Sequence, residues 1–162
     1  MNDNMERAAF HEAGHAVANL MRGHPVHYID VNNDGSGLTW HQTWGIGGDS
    51  AFCAFGGIYA EARYNFERDD DEDEEYDLDI HISGVRLAQP ADSQVISAYN
   101  AEEKALVGAR YREASAHREV IWCRELDREW SRIGGLAAAL VKSPHLDRPK
   151  IERITRLAPR HV

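Results

Sequence analysis

Phe10-His11-Glu12-Ala13-Gly14-His15-Ala16-Val17 decides how the rest of this 162-residue chain is read. Residues four apart on an α-helix stand one turn above each other on one face, so the imidazoles of His11 and His15 can meet a single Zn2+ at about 2.0–2.1 Å. Glu12, beside the first imidazole, is placed to touch water activated by that metal without binding the metal itself. Water on zinc gives up its proton near pH 7, so a carboxylate can take that proton, and the oxygen attacks a polarised peptide carbonyl. The same carboxylate then hands the proton to the leaving amine. The plainer reading is two surface histidines flanking a salt-bridging glutamate. Two features weigh against it: the flanks Phe10 and Ala16-Val17 are apolar, and Gly14 is a poor helix former that implies close packing.

The surrounding pattern makes this stretch the middle of a helix. Asp3 with Glu6 three residues later has the spacing of a capping box. From Met5 to about Met21, Phe10, Ala13, Val17, Leu20 and Met21 form an apolar face, and Gly23 followed by Pro25 ends it. Val26 to Val31 and Leu38 to about Trp44 read as two strands of an antiparallel hairpin around the turn residues 32–37. A helix follows from Ala51 to about Phe66, capped by Asp49 or Ser50. It contains Gly56-Gly57, which costs about 1 kcal/mol per glycine. Either another backbone packs closely there or the helix breaks.

Residues 77–88 read as irregular. Helical character resumes at Asp92 and continues in one or two helices to Arg132. A further helix spans Ile133 to Val141, and a last short one is capped by Asp147 with Pro149 in its first turn. The fold class expected is mainly α (α+β), a single domain over 1–162 with an acidic loop at about 67–77.

Catalytic zinc usually has three protein ligands and one open position. Downstream, Glu61, Asp77, Asp79, His81 and Asp92 could each supply the third. Asp92 follows a Pro-Ala pair near a helix start, where the helix would orient its carboxylate, although an N-cap there is also common.

Charge narrows the partners. The net charge is −9, and Asp69 to Glu75 is an unbroken acidic run that leaves the rest nearly balanced. That run reads as a solvated loop. Nothing forms the basic patch that nucleic-acid binding needs. No apolar run is long enough to span a membrane, and no signal peptide is visible. A cytoplasmic location is therefore expected. Cys53 and Cys123 lack a CxxC spacing and read as buried thiols. Asp30 to Gly35 has part of a calcium-loop pattern, but His41 stands where the glutamate would be, and a hairpin turn explains it better. Trp40 and Trp44 read as core or cleft wall. The remaining histidines are scattered.

Taken in order, these residues resemble the protease domain of the FtsH family of membrane-associated AAA zinc proteases. Phe10 to Val17 resembles that family's active-site helix. Pro25-Val26-His27-Tyr28-Ile29 and Gly37-Leu38-Thr39 resemble the strand pair after it, without the usual Pro-Arg-Gly turn. Phe55-Gly56-Gly57-Ile58-Tyr59-Ala60-Glu61 resembles the Gly-Gly-Arg-Ala-Ala-Glu stretch, with Ile58 in place of arginine. Ala91-Asp92-Ser93-Gln94 with Ala98 resembles the helix carrying the third zinc ligand, and Leu136 to Leu140 with Leu146 and Ile151 resembles the C-terminal helix and tail.

The resemblance implies zinc held by His11, His15 and Asp92, with Glu12 as general base. It also implies a polypeptide substrate docked as an extended strand beside the sheet. No glycine-rich phosphate loop occurs in these 162 residues. The expected activity is therefore ATP-independent peptide-bond hydrolysis, alone or beside a separate unfoldase or regulatory protein. The rival expectations are a non-catalytic interaction module on a peptidase-like scaffold, a narrowly specific regulatory peptidase, and a purely structural zinc site.

Overall fold

Helix α1 (Asp3–Met21) lies at the centre of the molecule, and everything that positions the His-Glu-x-x-His segment packs on it. The computed structural model describes residues 3–42, 47–69 and 78–157. After α1 come β1 (Val26–Val31), β2 (Gly37–His41), α2 (Gly48–Phe66), α3 (Leu78–Ala88) and α4 (Pro90–Val107). A single 3-10 turn (Gly108–Arg110) leads into α5 (Tyr111–Arg128), α6 (Trp130–Lys142), β3 (His145–Asp147) and α7 (Arg148–Thr155). The fold is mainly helical with one small antiparallel sheet of order β2-β1-β3, as the sequence pattern implied.

α1 and α2 pack closely along a seam of small residues. A Cβ placed on Gly14 would stand 2.2 Å from the Gly56 carbonyl oxygen and 2.7 Å from the Ala60 Cβ. One placed on Gly56 would stand 2.6 Å from the Ala18 Cβ. Both gaps are far inside van der Waals contact, so only glycine fits at these two positions. Of the two alternatives for Gly56-Gly57, close packing is the one realised, and α2 runs unbroken through the pair. Around this seam Ala9, Ala13, Ala16 and Val17 of α1 join Phe52, Phe55, Ile58 and Tyr59 of α2 in the core. Leu126, Ile133, Leu136, Leu140 and Ile151 from the C-terminal helices close it. The Tyr59 hydroxyl and the Arg63 guanidinium both donate to Asp127, tying α2 to α5.

In the sheet, β1 is central. Ile29 faces Thr39 of β2 and Leu146 of β3, with Ile29, Thr39 and Leu146 all buried on the inner face. β2 is an edge strand. The turn between β1 and β2 is the hairpin turn expected: Gly35 sits at φ 89°, and Asp34 Oδ1 accepts from both the backbone and the hydroxyl of Ser36. Asp147 caps α7 by accepting from Lys150 N at 3.3 Å.

Several expectations need correction. Residues 78–88 are helical, not irregular: Ile82 and Val85, three apart, turn inward on α3. Beside the acidic run, so short an apolar pattern is easily missed. The residue before α2 is Gly47 at φ 57°, and neither Asp49 nor Ser50 caps that helix. The strand β3 carries no alternation long enough to be read. Asp92 is not an N-cap, because α4 begins at Pro90 behind Gln89. Cys53 is buried and Cys123 half-buried, both as free thiols. Trp40 is half exposed, with its ring 4.5 Å from His27 and 5.7 Å from Tyr28. Trp44, Asp77 and all of the acidic run after Asp69 lie outside the described residues. Among the described residues, no helix is long and apolar enough to cross a membrane.

The seam yields a test in which two effects oppose. Gly56→Ala should gain about 1 kcal/mol of helix propensity and lose more by overpacking, for a net destabilisation of about 1–2 kcal/mol. Urea denaturation measures it. An unchanged or raised midpoint would show that α1 and α2 do not touch there.

Candidate metal centre

The α1–α2 seam sets a register that builds the site. His11 and His15 are one turn apart on α1, and Glu61 and Gly57 are one turn apart on α2. The helices pair so that Glu61 meets His11 and Gly57 meets His15. Glu61 Oε2 stands 3.0 Å from His11 Nδ1. A Cβ on Gly57 would lie 2.4 Å from His15 Nε2, so this glycine makes room for the imidazole.

Asp92 comes from a third direction. Placed in the first turn of α4, its Oδ2 lies 3.1 Å from His11 Nε2 and 3.3 Å from His15 Nε2, and the two Nε2 atoms are 2.9 Å apart. Among the described residues, these three form the one group of histidine, cysteine, aspartate and glutamate ligand atoms close enough to share an ion. The other candidates among the described residues do not join them as ligands. Glu61 is on the far nitrogen of His11. His81 pairs with Asp69 at 3.7 Å and meets the Phe66 ring edge-to-face. Asp79 lines a separate cavity beside Cys123.

The donor set fits zinc. Ligand atoms about 2.0–2.1 Å from a tetrahedral centre stand about 3.3 Å from one another, close to the separations seen here. Protonation points the same way. The Cys53 carbonyl, which can only accept, lies 2.8 Å from His15 Nδ1, so Nδ1 carries the hydrogen and Nε2 offers its lone pair. Glu61 Oε2, 3.0 Å from His11 Nδ1 though not aligned for a hydrogen bond, favours a hydrogen on that nitrogen through its charge, and Gln89 Nε2 donates to Glu61 Oε2 at 3.0 Å. Such outer partners orient ligating histidines and raise their basicity. Two imidazole lone pairs and a carboxylate converging within about 3 Å repel one another unless a cation or a proton lies between them. Burial would push the His11 imidazole down, but its contacts with Asp92 and Glu61 and the nearby charge of Glu12 override this and raise it to about 9. Burial would raise the Asp92 carboxyl, yet hydrogen bonds from His11 and His15 hold it well below the usual carboxylate range. The cluster is thus built to attract positive charge.

Glu12 is buried beside the cluster, and the Thr39 hydroxyl lies 2.7 Å from its Oε2. The cleft opens on both sides of it. One cavity of about 510 Å3 holds all three cluster residues, with Leu38, Ala54 and Val95 among its walls. The other, about 550 Å3, is more polar and reaches Arg7 and Asp34. Sequence reasoning missed the parts played by Thr39, Gln89 and the Cys53 carbonyl, and held Glu61 only as a ligand candidate. The signal that was available was the matching four-residue spacing of Gly57–Glu61 and His11–His15.

Residues 5–61 are similar to the family described as Peptidase M50B-like. The match spans α1, the hairpin and α2 as far as Glu61, a little over a third of the chain. No curated protein matches the chain. The family match supports a metallopeptidase-like domain, and with it a metal. It does not single out the FtsH kind, and Asp92 lies beyond the matched span.

Metal analysis of chains purified without added metal tests the arrangement. Wild type should carry about one zinc. Asp92→Ala should carry clearly less, and Glu61→Gln should weaken zinc affinity by about 10–100-fold, measured by chelator competition. Undiminished zinc in folded Asp92→Ala would exclude Asp92 as a ligand.

Proposed function

We propose that this chain is a zinc metalloendopeptidase that cuts extended polypeptide, with His11, His15 and Asp92 as ligands and Glu12 as general base. The observation that carries the reading is the convergence of two imidazole nitrogens and one carboxylate oxygen within 3.3 Å, with a buried glutamate next to the first imidazole. Zinc bound there would polarise the scissile carbonyl and acidify water. Glu61 and the Cys53 carbonyl hold the two imidazoles in the tautomer that presents Nε2. Glu12 takes the proton from the attacking water and delivers it to the departing amine nitrogen. The cleft on either side of Glu12 leaves room for chain running both ways from the cut, which suits an endopeptidase.

The finer assignment, an FtsH-like peptidase domain over 1–162, rests on the ordered series of motifs from Phe10 to Ile151. Its hydrolysis would need no ATP, since the chain has no phosphate-binding loop. Extended substrate would lie beside the edge strand β2, bound through its backbone. The free thiols Cys53 and Cys123 suit a reducing, cytoplasmic setting.

The test is incubation of the zinc-loaded chain with fluorescent, unfolded casein in the absence of ATP. Cleavage should be abolished by a chelator and restored by zinc, and Glu12→Gln should slow it at least 100-fold while still binding zinc. A folded, zinc-loaded wild type that leaves casein intact would remove the broad endopeptidase reading. If Glu12→Gln then also kept the biological activity of wild type, the chain would be a non-catalytic interaction module.

A further inference from the structure

The general base needs its own support, because a buried carboxylate free to rotate would seldom point at water. Two residues of β2 confine it. Thr39 is 9% exposed, and its Oγ1 lies 2.7 Å from Glu12 Oε2 and 3.0 Å from the Glu12 carbonyl oxygen. A hydroxyl carries one proton, and the ionised carboxylate is the stronger acceptor. Gly37, two residues earlier on the same face of the strand, closes the other side. A Cβ there would lie 2.5 Å from Glu12 Cγ and 2.7 Å from Oε1. The side chain of Glu12 therefore runs between Gly37 and Thr39, with Oε2 tied to the Thr39 hydroxyl and Oε1 lying against Gly37, where no side chain crowds it.

We propose that Thr39 is the positioning residue of Glu12. Its hydroxyl anchors Oε2 so that Oε1 is left to take the proton, and Gly37 provides the channel the side chain needs. This rests on the peptidase reading for its kinetic consequence but not for the contact itself. Thr39 acts through Glu12 and touches neither the reacting atoms nor the metal-binding cluster. Its strand is also the sheet edge that flanks the cleft, so the element a substrate strand would pair with is the one that aims the base.

Two measurements test it. The first needs no activity: urea denaturation of wild type, Thr39→Val, Glu12→Ala and the double variant gives the coupling between the two side chains. We expect the coupling to be about tenfold in the unfolding equilibrium constant, as for a hydrogen bond to a charged group. The second is casein cleavage. Thr39→Val should lower kcat by about 10–100-fold with KM and bound zinc unchanged, and Thr39→Ser should recover most of it. No coupling, or full kcat in a folded Thr39→Val, overturns the proposal while leaving the peptidase reading intact. Clear coupling in a chain that cuts nothing supports the anchoring contact and instead overturns the peptidase reading. A loss in Thr39→Val that Thr39→Ser does not rescue also overturns it, since the hydroxyl would then not be what matters.

Discussion

The close approach of α1 and α2 across Gly14 and Gly56 fixes how the two imidazoles are supported. With any side chain at either position the helices would separate, and the register that puts Glu61 on His11 and Gly57 under His15 would be lost. The glycines cost helix propensity, about 1 kcal/mol each relative to alanine. That cost is offset by burial of the surrounding alanines and aromatic rings and by the outer support of two imidazoles. A single packing constraint thus serves both the core and the candidate metal centre.

The electrostatics follow from the same arrangement. Two imidazoles and two carboxylates come together in a poorly solvated space. There Asp92 and Glu61 are held ionised and the His11 imidazole keeps its proton more readily. Glu12, adjacent in sequence to His11, adds its charge to this arrangement while its Oε2 is held by the hydroxyl of Thr39. Two neighbouring residues on one helix thereby take separate tasks, one toward the cluster and one toward the cleft.

Much of this was legible in the residues, and the boundary is instructive. The His11–Glu12–His15 spacing, the hairpin of β1 and β2, and the need for something close to Gly14 are local properties, written in short-range periodicity. The helical state of residues 78–88 was not legible, because two inward apolar residues beside an acidic run give too little signal. The role of Glu61 was hidden for a different reason. Whether a carboxylate meets a metal or the far side of its ligand depends on the pairing of two helices, which no single stretch encodes. Thr39 belongs to this class too: on a strand it reads as an ordinary β-branched residue, and only the placement of β2 over α1 gives its hydroxyl a purpose. Asp92 lay between these cases. Its position near a helix start was visible, but the direction of that helix was not.

Helix α4 is the least anchored of the elements that build the cluster. Ile96 is its one buried side chain, and the helix continues outward to Val107 with most of its surface in solvent. Elements with so few buried contacts open at low free-energy cost. A cation shared between α1 and α4 would therefore also act as a crosslink, closing a long loop of chain and removing freedom that the few apolar contacts of α4 cannot remove. The ordering of α4 and the occupancy of the cluster would then be two measures of one equilibrium.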